Sequence, residues 1–286
     1  MSKFPEFLYF PIAPHVNDFM VILLQRFGTF FDRITLVVLN ILMLIEKLLL
    51  WLPWWSIIIA VLYLGWKSTK SWITAAVMAL LLIMVGSFGM WELMMQTLAI
   101  VGGAVVFSIL VGIPIGILMA SSKKLDAILR PVLDAMQTMP SFVYLIPALM
   151  FFGLGKVPGL FATVIYAMPP VIRLTSLGIN HVSNDVVEAA RAFGSTNTQL
   201  LLKVQLPLAM PSIMAGINQT TMMALAMVVI ASMIGARGLG EQVLISIGRI
   251  DVGRGLEAGL SIVALAIVID RLLQGIGKHK GIGKRS

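Results

Sequence analysis

The sequence contains no cysteine among its 286 residues, which excludes disulfide bonds and thiolate metal sites. Histidine is scarce as well: His15, His181 and His279 lie far apart and form no metal-ligand or triad-like pattern. Charged residues make up 12% of the chain, whereas soluble domains carry about 25%. These shortages predict a chain with no metal site and no cofactor of its own.

Hydrophobic residues supply 59% of the sequence, so lipid is its main solvent and we expect a polytopic, all-α membrane protein. The formal net charge is +8, and cytoplasmic loops of membrane proteins collect Lys and Arg. No basic patch is interleaved with aromatic residues, so nucleic-acid binding is not expected. The first residues lack the pattern of a cleavable signal peptide.

Seven apolar segments reach or approach the roughly 20 residues needed to cross a hydrocarbon core of about 30 Å. They are Pro53–Trp66, Trp72–Phe88, Leu93–Ala120, Met136–Phe152, Leu160–Leu177, Leu208–Ile234 and Leu256–Ile269. The first segment is short, but tryptophans flank it in the manner of interfacial anchors.

The basic residues predict the orientation of these segments. If the segments alternate, basic residues in 123–130, 173–203 and 271–285 fall on one side, which we assign to the cytoplasm. The loop 235–255 then lies outside, and its glycine-rich start, Gly235–Gly240, is interpreted as a flexible loop end.

The segment from Asn17 to Trp51 places most of its polar side chains in one half of a helical wheel. This pattern favours a long amphipathic helix in the membrane interface. The alternative is a spanning helix at Ile34–Trp51, which the adjacent charges of Glu46 and Lys47 make less favourable. An interfacial helix gives seven spans and an external N-terminus, and a spanning helix gives eight and an internal one.

The stretch Ser183–Pro207 is a polar loop on the predicted cytoplasmic side, and it carries helix signals. Asp185 and Glu188 have the spacing of a capping pair. Gly194 is suited to the position that follows a helix ending at Phe193. The loop therefore begins with a helix of about eight residues.

A second short helix is expected to stop at Leu206–Pro207, because proline cannot continue it. The first helix presents two small residues, Ala189 and Ala190, and the large apolar Phe193. Exposed apolar surface in an aqueous loop is typical of a partner site. From the pattern alone, a loop folded against the chain's own helices is an equal alternative.

Six residues of this loop have the spacing of the EAA motif found in the membrane subunits of bacterial ABC importers. They are Glu188, Ala189, Ala190, Gly194, Leu206 and Pro207. Val204 stands where the motif has Ile and keeps a β-branched apolar side chain. The chain therefore resembles this family. The resemblance implies that a coupling helix at Val186–Phe193 docks into an ATPase, with Glu188 as the polar contact and Gly194 as the turn. The implied coupling residues are Asp185, Glu188, Ala189, Ala190, Phe193, Gly194, Leu206 and Pro207.

Three further stretches, 137–147, 216–220 and 229–236, resemble permeases for glycine betaine and related quaternary-ammonium osmolytes, and the resemblance covers roughly Trp54 to Arg271. It implies a type I ABC importer fold with an N-terminal amphipathic scaffold helix. The implied segments are a scaffold helix at 1–52, two accessory transmembrane helices at 53–90, a five-helix core at 91–274 with the coupling loop at 183–207, and a basic cytoplasmic tail at 275–286.

The chain has no nucleotide-binding sequence of its own. The tail contains two G-I-G-K repeats, but neither has the Walker A pattern. ATP and Mg²⁺ are therefore expected on a partner. The resemblance implies two ATPase subunits, a second copy of this chain and a separate extracytoplasmic substrate-binding protein, in the bacterial cytoplasmic (inner) membrane. The basic tail also suits anionic lipids, and Gly112–Gly116 permits close helix packing within or between copies.

A quaternary ammonium group donates no hydrogen bond, and proteins hold it against aromatic faces. Aromatic residues cluster on two adjacent segments, and polar residues lie within or near the spans. The candidates for the solute path are Gln137, Thr138, Phe142, Tyr144, Asn218, Gln219 and Thr220. The alternative is that the aromatic residues only pack against other helices or face lipid.

Two other functions compete with an ABC permease. A secondary transporter driven by an ion gradient needs acidic residues inside its spans and often has inverted repeats, but the predicted spans hold almost no acid and show no repeat. A membrane enzyme needs a nucleophile–base pair or a metal cluster at membrane depth, and the sequence shows neither. We therefore expect a permease that is not itself an enzyme.

Overall fold

The structure, a computed structural model, describes residues 10–280, with side chains as far as residue 275. The described residues form fourteen α-helices and contain no strand, which confirms the all-α prediction. The helices are α1 (Ile12–Trp51), α2 (Trp54–Thr69), α3 (Trp72–Ser87), α4 (Trp91–Ser121), α5 (Lys123–Thr138), α6 (Leu145–Phe152), α7 (Lys156–Ala167), α8 (Pro169–Asn180), α9 (Asn184–Ala192), α10 (Asn197–Gln199), α11 (Leu206–Ala226), α12 (Val228–Ser232), α13 (Leu239–Arg249) and α14 (Val252–Lys280). Residues 281–286 of the predicted basic tail lie outside the described residues.

Helix α1 is a single helix of 40 residues, about 60 Å long at 1.5 Å per residue. The prediction of a long N-terminal helix is confirmed. Its C-terminal half packs against α4 and α7, where Leu42 is buried and Glu46 forms an ion pair with Lys156. This pair neutralises the Glu46 charge that counted against a spanning helix. By length and composition α1 can cross a membrane, so seven and eight spans both remain predictions.

By length and composition, four helical stretches among the described residues can cross a membrane. They are Ile12–Trp51, Trp91–Ser121, Lys156–Asn180 and Asn197–Ala226. The predicted span Met136–Phe152 is not one helix, because the chain bends by 109° between α5 and the 3₁₀ turn Ser141–Tyr144 that leads into α6. Pro140 lies at the bend, where it has no N–H for a helical hydrogen bond. The predicted span at this position is therefore bent, and the two helical pieces together would count as a fifth span by length and composition.

Helices α4, α8 and α11 form the centre of the bundle. A Cβ atom on Gly112 would lie 2.5 Å from Cγ1 of Val171, and one on Gly116 would lie 2.6 Å from the carbonyl oxygen of Ile172. Only glycine therefore allows α4 and α8 to approach this closely. The Gly112–Gly116 pair serves packing within the chain.

Residues 235–240 are folded against α4 and α12 rather than forming a flexible loop end. The N–H of Leu239 donates a hydrogen bond to Oγ1 of Thr97 at 2.9 Å. A Cβ atom on Gly240 would lie 2.5 Å from the carbonyl oxygen of Val228. The prediction for this segment was wrong because these contacts join residues that are distant in sequence.

Candidate coupling loop and solute path

Helix α9 begins after the N-cap residue Ser183, and its first turn is closed by backbone hydrogen bonds. The N–H groups of Val186 and Val187 both donate to the carbonyl oxygen of Ser183. The predicted capping pair of Asp185 and Glu188 is therefore wrong, because Asp185 already lies inside the first turn. At this position its carboxylate interacts favourably with the positive end of the helix dipole.

The end of α9 is a Schellman turn, in which two N–H groups bond to the last free carbonyls of the helix. Ser195 N–H donates to the carbonyl of Ala190 at 3.1 Å, and Gly194 N–H donates to that of Arg191 at 2.9 Å. Gly194 has a φ of 79°, in the left-handed region that a residue without Cβ adopts readily. The prediction that the helix ends at Phe193 and turns at Gly194 is confirmed.

Helix α9 stands clear of the bundle, since none of its residues is buried and it packs mainly against the π-helical segment Leu200–Gln205. Phe193 is 91% exposed, Glu188 and Ala189 are exposed, and Ala190 is half-buried. An exposed phenylalanine ring is unfavourable in water, so this surface suits a pocket on a partner. The alternative of a loop folded against the chain's own helices does not describe α9.

The second helix of the loop begins with a capping box between Thr196 and Gln199. It does not stop at Leu206–Pro207 as predicted, but continues through the π-helical segment into α11. In that segment Leu206 N–H donates to the carbonyl of Leu201, and the wider turn makes room for the proline ring. Leu206 is half-buried and Pro207 is exposed within a continuous helix.

Two of the seven path candidates, Gln137 and Gln219, line one cavity of about 420 Å³ between α5, α8 and α11. Charged residues from α5 and α8 line the same cavity. They are Asp126, Arg130, Asp134 and Arg173. The structure therefore brings the two glutamines together with charges of both signs.

The α5 wall of this cavity is a stripe of polar side chains at positions 126, 130, 134 and 137. Spacings of three and four residues place them on one side of the helix. Arg130 and Asp126 form an ion pair at 2.7 Å, and Asp134 pairs with Arg173 of α8. Sequence reasoning missed these residues as path candidates because it placed Arg130 in a cytoplasmic loop, although the spacing was available as a signal.

The path candidates around the bend have structural partners or face outward. Tyr144 is buried, and its hydroxyl donates a hydrogen bond to the carbonyl of Met136 at 2.5 Å. The Thr138 hydroxyl donates to the carbonyl of Asp134 in its own helix at 3.2 Å. Phe142 is half-exposed and does not line the cavity. The structure does not bring these three side chains to Gln137 and Gln219.

The last two candidates, Asn218 and Thr220, lie on α11 outside the cavity lining. Asn218 Nδ2 donates to a carboxylate oxygen of Asp270 on α14 at 2.8 Å, and Gln274 donates to the same carboxylate. Thr220 is fully buried. Sequence reasoning missed Asp270 because the last predicted span stopped at Ile269, whereas α14 runs well beyond it.

The aromatic residues of α6 and α7 hold the N-terminal helix rather than lining the cavity. Phe31 of α1 stacks on Phe151 with ring centroids 4.6 Å apart, and Phe152 stacks on Phe161 at 4.2 Å. None of these four rings lines the cavity with Gln137. These rings therefore pack against one another and against α1, as the alternative interpretation of the aromatic residues stated.

Residues 112–280 match the family model of the binding-protein-dependent transport system inner membrane component, over more than half of the chain. The chain belongs to this family. It is therefore a multi-pass permease subunit of an ABC transporter in a bacterial inner membrane. The matched region contains α9, the cavity and the Asn218–Asp270 contact.

The permease is 51% identical over 233 residues to the glycine betaine/proline betaine transport system permease protein ProW of Escherichia coli (strain K12), covering 82% of this chain and 66% of that protein. It is 46% identical over 281 residues to the glycine betaine/carnitine transport permease protein GbuB of Listeria monocytogenes serotype 1/2a (strain 10403S), covering 96% and 98%. It is 45% identical over 283 residues to the glycine betaine transport system permease protein OpuAB of Bacillus subtilis (strain 168), covering 98% of each. The permease thus spans just under two thirds of the length of ProW and nearly all of the other two.

The fold is similar to a chain of the MetNI methionine ABC transporter in an inward-facing conformation, with a TM-score of 0.56 and 20% identity. The likeness covers 64% of this permease and 90% of that chain. At this identity it establishes the fold alone. The predicted type I ABC importer fold is confirmed.

Proposed function

We propose that the permease carries glycine betaine or a related quaternary-ammonium osmolyte across the inner membrane as part of an ATP-driven importer. Relatives that are named for glycine betaine transport and are 45% to 51% identical support the solute class. One structural feature carries the coupling part of the proposal: α9 is a free-standing helix that ends in Phe193, 91% exposed.

In this proposal α9 docks into a cleft of an ATPase subunit. Phe193 fills an apolar pocket, Glu188 makes the polar contact, and Gly194 turns the chain back toward the membrane. The small side chains of Ala189 and Ala190 let the partner approach the helix closely. Asp185 strengthens the start of the helix through its dipole.

The continuous helix behind the loop gives a route for force. Helix α9 packs against the π-helical segment, which runs into α11 without a break. Helix α11 packs against α8 at Gly216, where a Cβ atom would lie 3.1 Å from Cα of Val171. Since α8 lines the cavity, a movement of α9 is transmitted to the cavity wall. Leu206 and Pro207 lie within this continuous helix.

The proposed assembly contains two copies of the permease around a two-fold axis, because each copy offers one coupling helix. Two ATPase subunits bind ATP and Mg²⁺, and an extracytoplasmic protein delivers the solute. ATP binding draws the ATPases together, and the coupling helices follow. The permease pair then changes from inward-open to outward-open. The basic tail contacts anionic lipids.

The proposal is tested by uptake of labelled glycine betaine into proteoliposomes that contain the permease, the ATPase and the binding protein. We expect uptake to require ATP and all three components. Phe193→Ala should reduce both uptake and ATPase co-purification by at least about tenfold, since interface aromatics are often hot spots. Leu154→Ala is the matched control for co-purification, because Leu154 is a 78% exposed apolar residue in a different loop. Accumulation by the permease alone under an ion gradient would contradict the proposal.

A further inference from the structure

The cavity between α5, α8 and α11 contains two positive and two negative side chains, so its formal net charge is zero. These charges form two ion pairs, Asp126–Arg130 along α5 and Asp134–Arg173 between α5 and α8. The volume of about 420 Å³ falls within the roughly 300–1,000 Å³ typical of small-molecule pockets. The cavity therefore offers a small solute both signs of charge at once.

In the ion pair between α5 and α8, a solute carboxylate can replace Asp134 as the partner of Arg173. The side chain of Asp134 is 58% exposed and that of Arg173 is 34% exposed, and exposed ion pairs contribute little to stability. Nε of Arg173 is buried and has no hydrogen-bond partner among the described residues. A solute carboxylate that reaches the exposed part of this guanidinium replaces Asp134 as its acceptor.

Charges of both signs match a zwitterion. A guanidinium group holds a carboxylate through two parallel hydrogen bonds, whereas a quaternary ammonium group needs only the negative potential of a nearby carboxylate. A solute that is only cationic would leave Arg173 facing a like charge. No aromatic ring is among the described residues that line the cavity, so cation–π attraction adds nothing. Affinity is then low, which suits a passage that must release its solute.

We infer that this cavity is a low-affinity site for zwitterionic solutes, in which Arg173 binds the solute carboxylate and Asp134 faces its quaternary ammonium group. The inference rests on the proposed function and adds a second point of selection, within the permease itself. It also explains why Gln137 and Gln219 face the same space, since their amides supplement the contacts to the carboxylate.

The test is equilibrium binding to the purified permease–ATPase complex in lipid nanodiscs, without binding protein and without ATP. Saturation-transfer NMR reports millimolar binding of glycine betaine, with choline as a competitor that has the cation but no carboxylate. We expect choline to compete at least about tenfold less effectively, as expected for one lost charge-assisted hydrogen bond. Arg173→Gln should reduce the preference for glycine betaine over choline to within about threefold. Asp134→Asn should weaken the binding of both solutes.

A matched control distinguishes solute binding by Arg173 from a purely structural role of its ion pair. A second ion pair between described helices, Glu46–Lys156, lies outside the cavity. Lys156→Gln breaks this pair and should retain wild-type binding and preference. If Arg173→Gln does not assemble, Arg173→Lys keeps the charge without the planar fork and should reduce the preference by about threefold.

The inference is overturned if the Arg173 variant keeps the full preference for glycine betaine, if Lys156→Gln loses it equally, or if the wild type gives no saturable signal. Because the assay involves no transport, these results leave the proposed function standing. Failure of the proposed function is instead seen as absent ATP-driven uptake by the wild-type complex.

Discussion

The hydroxyl of Tyr144 donates a hydrogen bond to the carbonyl oxygen of Met136 at 2.5 Å, beside the 109° bend between α5 and α6. Met136 lies four residues before Pro140, which has no N–H to supply the helical partner of that carbonyl. Tyr144 thus replaces the missing donor. A residue that the sequence suggested for the solute path therefore stabilises the bend.

Tyr144→Phe should therefore destabilise the permease. The substitution leaves the Met136 carbonyl without its donor, which costs about 1–3 kcal/mol when the group is buried. Thermal unfolding of the detergent-solubilised permease measures this change. Tyr63→Phe is the control, because Tyr63 is 53% exposed. Equal midpoints for the two variants would show that the bend does not depend on this hydrogen bond.

Gly194→Ala should weaken the contact between α9 and the ATPase while leaving the helix bundle folded. Its φ of 79° costs a residue with a Cβ atom about 1–2 kcal/mol, so the end of α9 shifts toward another conformation. The measurement is the ATPase activity that co-purifies with the permease, which we expect to fall. Gly248→Ala is the control, since Gly248 has open space around it and lies within α13. Wild-type ATPase recovery with Gly194→Ala would rule out a need for the left-handed turn.

Gly116→Ala should destabilise the permease by about 1–3 kcal/mol, as overpacking typically does, because its Cβ atom would lie 2.6 Å from the Ile172 carbonyl oxygen. Gly102→Ala on the same helix has no atom within 4 Å and should be close to neutral. The unfolding midpoints of the two variants check this prediction. If the glycine instead served contacts between copies, Gly116→Ala would abolish the dimer at an unchanged midpoint.

Asp270→Asn should retain ATP-driven uptake. Asp270 accepts hydrogen bonds from Asn218 and Gln274, so it holds α14 against α11. Asparagine keeps one acceptor oxygen but loses the charge, so we expect a loss of stability of only about 1 kcal/mol. Glu257→Gln on the same helix is the control for removing one charge. If Asp270→Asn abolished uptake while folding and ATPase binding stayed intact, an ion-coupled role for this acid would replace the structural one.

The features that the sequence predicted correctly have local causes. The end of α9 follows from Phe193 and Gly194 alone, because a glycine after an apolar helix residue favours the left-handed turn. Pro207 misled the prediction, since a proline signals a helix boundary and nothing local indicates the π-helical segment that accommodates it. The Arg173–Asp134 and Asn218–Asp270 contacts join residues 39 and 52 positions apart. Contacts of this kind depend on how the helices pack.

We propose that α9 is the contact through which an ATPase drives the permease. The most direct measurement places a photo-crosslinking amino acid at position 193 in the intact complex in its membrane and identifies the adduct by mass spectrometry. We expect an adduct between permease and ATPase at position 193 and none at position 154, which is similarly exposed. Absence of the ATPase adduct at position 193, or an equal yield at position 154, would contradict it.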